Sequence, residues 1–307
     1  MPRVPLANLQ DHPTLPMSYL TNERSLFGTG SADDVALYQE GRGPLTSNIA
    51  EGGVFLSTCG DERVPDCQFI MLPVMFFNEA LSALVDNAFS ILTTLLKPTS
   101  RGRVSLRSAR PDAKPRISHN FLATEECRAT MIAGVRMAME VLTQPNLSKV
   151  QRAPLSVPAS ASEADIVRFV EPRTCTDYHP TSTCAIGRVV DPQLRVFGTE
   201  GLRVVDASVM PSIVRGNTNA PVIAIAEKAA DILLGKEPTM SEQPHPLPKA
   251  DFDADSTVGA AAGGPRPPSP TVVSHATISA GPNISLAKSC RVRASSSRPS
   301  SSCFRAQ

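Results

Sequence analysis

Apolar residues recur at helical spacing in three segments of the chain. The clearest helix is predicted from Glu125 to Leu142, with Thr124 as its cap and two glutamates in its first turn. A second helix is predicted over Glu163–Val170, because Ser160 and Glu163 have the spacing of a capping box.

A third helix is predicted from Pro221 to Leu234, since proline suits a first helical turn and Gly235 suits the position after the last turn. Its apolar residues predict a broad buried face: Val222, Ile225, Ala226, Ala229, Ile232 and Leu233.

Shorter apolar or alternating runs predict strands between these helices. Cys67–Phe77 is interpreted as a buried strand interrupted by Pro73, and Ala88–Leu96 is a second strongly apolar stretch. Arg103–Arg107 alternates polar with apolar residues, which favours a half-buried antiparallel strand. Leu202–Val205 is also strand-like. Residues 237–307 are rich in Pro, Ser, Ala and Gly and cannot bury enough apolar surface, so this tail is predicted to be disordered.

The bulk composition excludes several classes of function. The chain of 307 residues has a net charge of +1, which does not favour nucleic acid or an anionic membrane as a partner. Seven scattered cysteines argue against a disulfide framework and favour a reducing compartment, and no apolar run is long enough to span a membrane. A soluble cytoplasmic protein is therefore expected. Dinucleotide-binding, Walker, nucleophile-elbow and zinc-protease motifs are absent from the sequence.

Candidate chemistry is concentrated between Thr176 and Gly235. His179 stands in a loop and could act as a general acid or base, because the ordinary pKa of imidazole lies near neutrality; it could equally be a structural histidine that binds nearby carbonyls. Cys175, His179 and Cys184 together raise the possibility of a zinc site, although a fourth ligand is lacking. Buried thiols are the simpler interpretation of the two cysteines.

Two further polar positions stand near the predicted third helix. Asn217 lies at the mouth of that helix, where unsatisfied N–H groups suit an anion or an electron-rich ring, although Asn217 or Asn219 could simply cap it. Asp206 follows the predicted strand, a place where carboxylates often meet ligands in α/β folds, and an ordinary turn aspartate is the alternative.

Four ordered motifs in this region resemble one known family. They are the segments 178–187, 190–192, 201–211 and 216–221, read as YHPTSTCAIG, VDP, GLRVVDASVMP and GNTNAP. Together they resemble the C-terminal portion of a glucose-methanol-choline (GMC) oxidoreductase, in the choline dehydrogenase-like and alcohol dehydrogenase branch. The upstream segments NLQDHP (8–13) and GPLTSN (43–48) are also similar to that family. The similarity spans about residues 6–236.

This resemblance implies an FAD-dependent oxidation of an alcohol to an aldehyde or ketone. It implies that His179 accepts the hydroxyl proton and that Asn217 positions the substrate oxygen. The residues that it implies contact FAD are Asp206, Ala207, Thr218, Asn219 and Pro221.

The resemblance also implies an α+β fold, in which an antiparallel sheet backed by helices is joined to a strand–helix segment of an FAD domain. We expect a remnant of that domain at 1–16, a substrate-binding domain at 17–170, a catalytic and FAD-contacting segment at 171–236 and the disordered tail at 237–307. An N-terminal glycine-rich unit that would anchor FAD is not found in the sequence, so we expect the chain alone to bind FAD poorly. A silent truncated fragment, or a subunit that needs a separate FAD-binding chain, is the alternative.

Overall fold

Two antiparallel sheets and five helices make up the computed structural model, which describes residues 7–60, 64–76 and 86–236. The elements follow in this order: β1 Ala7–Leu9, β2 Pro13–Thr21, α1 Ala32–Gln39, β3 Gly52–Leu56, β4 Cys67–Leu72, β5 Ala88–Leu95, β6 Gly102–Ser105, β7 Arg116–Ser118, α2 Glu125–Leu142, α3 Pro145–Ser148, β8 Gln151–Ser156, α4 Glu163–Val170, β9 Cys175–Thr176 and α5 Asn219–Leu233.

The larger sheet has the strand order β3-β4-β5-β2-β8, and the short strand β9 also pairs with β2. All of its pairings are antiparallel. The apolar runs predicted β4 and β5 correctly, and β4 ends one residue before Pro73, where the missing N–H would interrupt the ladder. The prediction over 67–77 reaches Phe77, which lies outside the described residues.

The two faces of this sheet differ in chemistry. One face packs against the helices α2 and α4, and its core contains Leu15, Met17, Phe69 and Ile91. The opposite face buries hydroxyl groups, which are hydrogen-bonded across the strands: Thr14 with Thr94 at 2.7 Å and Ser18 with Ser90 at 2.8 Å. Gln68 on β4 is opposite Thr94, so a buried amide shares this polar face.

The helix predictions on the sheet side are confirmed. The helix α2 spans Glu125–Leu142, and the Thr124 side chain accepts a hydrogen bond from the backbone N–H of Cys127. The helix α4 spans Glu163–Val170, but its cap was predicted two residues too early: Ser162 is the N-cap and its side chain accepts from Asp165 N. Ser160 instead hydrogen-bonds the Asp165 carboxylate, because the chain at Ser162 already has the extended conformation of a cap.

A smaller sheet, β1-β6-β7, lies beside the N-terminal motif. The half-buried strand predicted over Arg103–Arg107 is present as β6, shifted to Gly102–Ser105, and it pairs with both neighbours. Gly102 permits this packing, because a Cβ there would lie 2.2 Å from the carbonyl oxygen of Ser118.

The C-terminal segment departs from two sequence predictions. The strand predicted at Leu202–Val205 is wrong: only Arg203 forms an isolated bridge, to Arg195, since no described strand lies beside this segment to pair with it. The prediction of a broad buried face on α5 is also wrong. Ala229 is its only fully buried residue, because the cluster beneath it, formed by residues 189–209, covers a narrow strip of the helix. Ile223 and Leu233 are exposed.

Two predictions of organisation remain predictions. The boundary proposed between residues 16 and 17 falls inside β2, which crosses it without interruption, and the tail 237–307 lies outside the described residues. Within the part of the chain that the structure describes, none of the helices combines the length and the hydropathy needed to cross a bilayer.

Candidate active site

His179 lies in the loop that follows β9, at a sharp bend of the chain. Tyr178, directly before it, has a left-handed φ of 59°, a conformation that non-glycine residues adopt at a cost. The His179 backbone N–H donates to Asp11 Oδ1 at 2.9 Å, and the imidazole is 14% exposed. The bend therefore holds the ring inside the protein, next to the N-terminal motif.

The nearest side chain to the His179 ring is a second histidine, His12. Their Nδ1 atoms are 3.0 Å apart and the rings meet edge to face. The other ring nitrogen of His12, Nε2, lies 3.0 Å from two backbone carbonyl oxygens, those of Leu96 and Val214. His12 thus connects the ends of β5, the His179 loop and the segment that leads to α5.

Two carboxylates flank this pair of histidines. Asp11 accepts a short hydrogen bond from the Thr176 hydroxyl and lies 3.5 Å from Nδ1 of His119. Asp177 Oδ2 lies 3.4 Å from His179 Nδ1, but it is buried and has no hydrogen-bond partner among the described residues. The His179 Nδ1 atom is therefore aligned with His12 rather than with Asp177.

Burial dominates the electrostatics of the four groups. It lowers the pKa of His12 to about 4 and also lowers the pKa of His179, which the negative charge of Asp11 partly opposes. Burial, and then repulsion from Asp11, raises the pKa of Asp177 to about 7. Burial raises the pKa of Asp11 despite its hydrogen bonds. Both imidazoles are consequently neutral at neutral pH.

Asn217 lies on an exposed loop directly before α5. Its Oδ1 is 3.5 Å from Nε2 of Gln68, the buried amide on the polar face of the large sheet. The helix starts at Asn219, and its N-cap is Thr218, whose side chain makes no capping hydrogen bond. The alternative, that Asn217 or Asn219 caps the helix, is therefore wrong, because the chain enters the helix through Thr218 in a helical conformation.

Asp206 and Ala207 are joined to the segment after His179. The Asp206 side chain accepts from Ser208 N at 2.7 Å and so caps a short 3-10 helix over Ala207–Val209. The carbonyl oxygen of Ala207 accepts from Ser182 N at 3.4 Å. Asp206 therefore acts as an ordinary turn aspartate, the alternative given for it from the sequence, and it lies at the surface.

The zinc grouping suggested by the sequence is not assembled. Cys175 is buried in β9 and Cys184 is half-buried, and neither joins His179 in a metal-like cluster of the described residues. The cluster that does form contains His12, Asp177 and His179, with ligand atoms within 4.8 Å of one another. The Nδ1 atoms of His12 and His179 already share a hydrogen bond with each other. This bond favours proton transfer over cation binding as the role of the cluster.

The residues that surround His179 and Asn217 are not among those that the sequence predicts for the site. They are Asp11 and His12, in the segment NLQDHP, together with Gln68 and Asp177. No local pattern in the sequence marks Asp11, His12 and Gln68 as neighbours of the site, because they come from segments far apart from it in the chain.

Comparisons with known proteins agree on one family. Residues 98–226 match the family model of GMC oxidoreductase, in its C-terminal domain. An alcohol dehydrogenase [acceptor] of Pseudomonas putida is 38% identical over 241 residues, which is 75% of this chain and 44% of that protein. An oxygen-dependent choline dehydrogenase of Paraburkholderia phymatum is 38% identical over 242 residues, or 75% of this chain and 42% of that protein. The chain thus spans less than half the length of these relatives.

Solved structures show the same fold. A variant of formate oxidase from Aspergillus oryzae superposes with a TM-score of 0.65 at 24% identity, covering 74% of this chain and 47% of the other. A fungal aryl-alcohol oxidase superposes with a TM-score of 0.58 at 25% identity, covering 76% and 48%. The α+β fold with antiparallel sheets backed by helices is therefore confirmed.

Proposed function

Because this chain carries the C-terminal domain of the GMC oxidoreductases, we propose that it supplies the proton-accepting part of an FAD-dependent alcohol oxidation site. The observation that carries this proposal is His179. Its imidazole is neutral and largely buried, Nδ1 is bound within the protein, and Nε2 makes no hydrogen bond to any described residue. A neutral imidazole with one free nitrogen is the group that a general base requires.

His179 accepts the hydroxyl proton of the alcohol in this reaction. Bound FAD would take up the hydride from the carbon that carries the hydroxyl, so that the C–O bond becomes a carbonyl. Asn217 donates from its amide nitrogen to the substrate oxygen, since the amide oxygen is turned toward Gln68. The products are an aldehyde or ketone, reduced FAD and a proton on His179.

The start of α5 presents backbone N–H groups, which suit an electron-rich ring. Thr218 makes no side-chain capping bond and Pro221 has no N–H, so the first N–H groups of the helix, at Asn219 and Ala220, have no side-chain acceptor. The backbone from Thr218 to Pro221 would approach the flavin ring of FAD, and Asp206 and Ala207 would contact its pyrophosphate or ribityl region. The nucleotide end would be held by a unit in the same polypeptide or in a separate chain.

The test uses this chain with its nucleotide-binding unit supplied, in one polypeptide or as a second subunit. We expect a yellow protein whose flavin absorbance bleaches without oxygen when an alcohol such as choline or a primary aryl alcohol is added. Colourless protein that takes up no FAD would contradict the proposal and favour a silent fragment.

Substitution of the base separates catalysis from cofactor binding. We expect His179→Ala to lower kcat by about 10²- to 10⁴-fold while the flavin content stays within twofold. His119→Ala is the matched control, because His119 also lies beside Asp11 but outside the imidazole pair. Equal loss of flavin and turnover in His179→Ala would mean that His179 is structural.

A further inference from the structure

The surroundings of His12 determine where its proton lies. Nε2 is 3.0 Å from the carbonyl oxygens of both Leu96 and Val214. Carbonyl oxygens accept hydrogen bonds and never donate them, so Nε2 must carry a hydrogen. An unprotonated Nε2 would leave three lone pairs facing one another in a site where His12 is only 1% exposed.

A neutral imidazole has a single N–H, so the other nitrogen of His12 is an acceptor. Burial holds the pKa of His12 near 4, and His12 therefore remains neutral across the physiological range. Its Nδ1 lies 3.0 Å from Nδ1 of His179. Since one of these two atoms must donate, the hydrogen belongs to His179.

We propose that His12 is a positioning residue that holds His179 in the Nδ1–H tautomer, so that Nε2 is the nitrogen that accepts the substrate proton. The two backbone carbonyls fix the proton of His12 on Nε2. The unprotonated Nδ1 of His12 then fixes the proton of His179 on Nδ1. Asp177 is also an acceptor when ionised, so it does not oppose this tautomer. The tautomer assignment stands on hydrogen-bond geometry, and only its catalytic meaning rests on the proposed function.

Two substitutions at His12 separate its two hydrogen bonds. The amide nitrogen of glutamine is as many bonds from Cα as Nε2, so His12→Gln retains a donor toward Leu96 and Val214 but loses the acceptor for His179. The amide oxygen of asparagine corresponds to Nδ1, so His12→Asn retains that acceptor and loses the donor. The proposal requires that His12→Gln shifts the tautomer of His179 and that His12→Asn leaves it unchanged.

The direct measurement is the ¹⁵N and ¹H NMR spectrum of the histidine side chains in the whole chain at neutral pH. We expect His179 to be protonated at Nδ1 and His12 at Nε2. In His12→Gln the Nδ1–H to Nε2–H ratio of His179 is expected to fall on the order of tenfold, the effect of one hydrogen bond. In His12→Asn the wild-type ratio is expected to be retained. Wild-type His179 protonated at Nε2, or equal ratios in both variants, would overturn the proposal.

Turnover of the flavin-loaded assembly tests the catalytic meaning separately. We expect His12→Gln to lower kcat about 10- to 100-fold with little change in KM, and His12→Asn to recover most of the loss. If NMR shows the predicted tautomers but the assembly oxidises no alcohol, the proposed function is refuted and the tautomer assignment stands.

Zinc titration distinguishes the hydrogen-bonded pair of histidines from a metal site. We expect no change in the His12 and His179 resonances when one equivalent of Zn²⁺ is added. Stoichiometric zinc uptake that His12→Gln abolishes would assign a metal site to His12, Asp177 and His179 and overturn the proposal.

Discussion

Asp177 is expected to make the protein less stable as the pH rises from about 4 to about 7. Its side chain is 12% exposed, and its Oδ2 atom is buried without a hydrogen-bond partner among the described residues. Burial, followed by repulsion from Asp11, raises its pKa from 3.8 to about 7. The folded protein therefore retains a proton that the unfolded chain releases above pH 3.8.

The sign and size of the effect follow from this difference. Between pH 3.8 and about 7 the folded state binds more protons than the unfolded state, so the free energy of unfolding falls as the pH rises. The two pKa values are about 3 units apart, and each unit corresponds to about 1.36 kcal/mol. The ionised carboxylate thus costs up to about 4 kcal/mol above pH 7.

Asp177→Asn tests this cost directly, because asparagine has nearly the same shape and cannot ionise. We expect the variant to equal the wild type near pH 4 and to be more stable by up to about 4 kcal/mol at pH 8. Urea unfolding of both proteins at pH 4, 6 and 8 measures the difference in their free energies of unfolding. The titratable groups that the two proteins share cancel in this difference to first order. Asp33→Asn, at an exposed position in α1, is the control and should show no comparable trend.

A stability gain that is the same at all three pH values would refute the electrostatic explanation. A gain that is larger at pH 4 than at pH 8 would mean that ionised Asp177 has a stabilising partner in solution.

Two further predictions concern the sheets. Thr93→Val is expected to stabilise the fold by about 1–2 kcal/mol in urea unfolding, because the Thr93 hydroxyl is buried without a partner among the described residues. Thr94→Val should destabilise it by about 1 kcal/mol, since its hydroxyl is hydrogen-bonded across to β2 at 2.7 Å, and the opposite order would contradict this interpretation. Gly102→Ala is expected to lower stability by about 3 kcal/mol or more, because a Cβ there would lie 2.2 Å from a β7 carbonyl oxygen. Gly216→Ala, where a Cβ meets nothing within 4 Å, should change stability by less than about 0.5 kcal/mol, and equal thermal shifts would refute the steric argument.

The sequence predicted the elements whose causes are local. The α2 helix was correct because its cap and its apolar stripe lie within the segment itself. The strands β4 and β5 were correct because short, largely apolar runs of that length suit buried strands.

Predictions that needed a neighbour failed. Leu202–Val205 has the composition of a strand, but a strand forms only beside a partner, and the described residues offer it a single bridge. The α5 helix has enough apolar residues for a broad buried face, yet the small cluster beneath it covers little more than Ala229. Periodicity shows which side chains could be buried, and packing decides which of them are.

The amino-acid sequence by itself determined the chemical groups of the candidate site and the family that they resemble. It identified His179 and Asn217, because their motifs stand close together in the chain. Only the tertiary structure placed His12 against His179, across 167 positions of sequence. The physical reason is the antiparallel register of β2 and β9, in which Pro13 is opposite Thr176, so that the next residues, His12 and Asp177, meet as the strands separate. No local pattern encodes that register, and the nitrogen of His179 that can accept a proton depends on it.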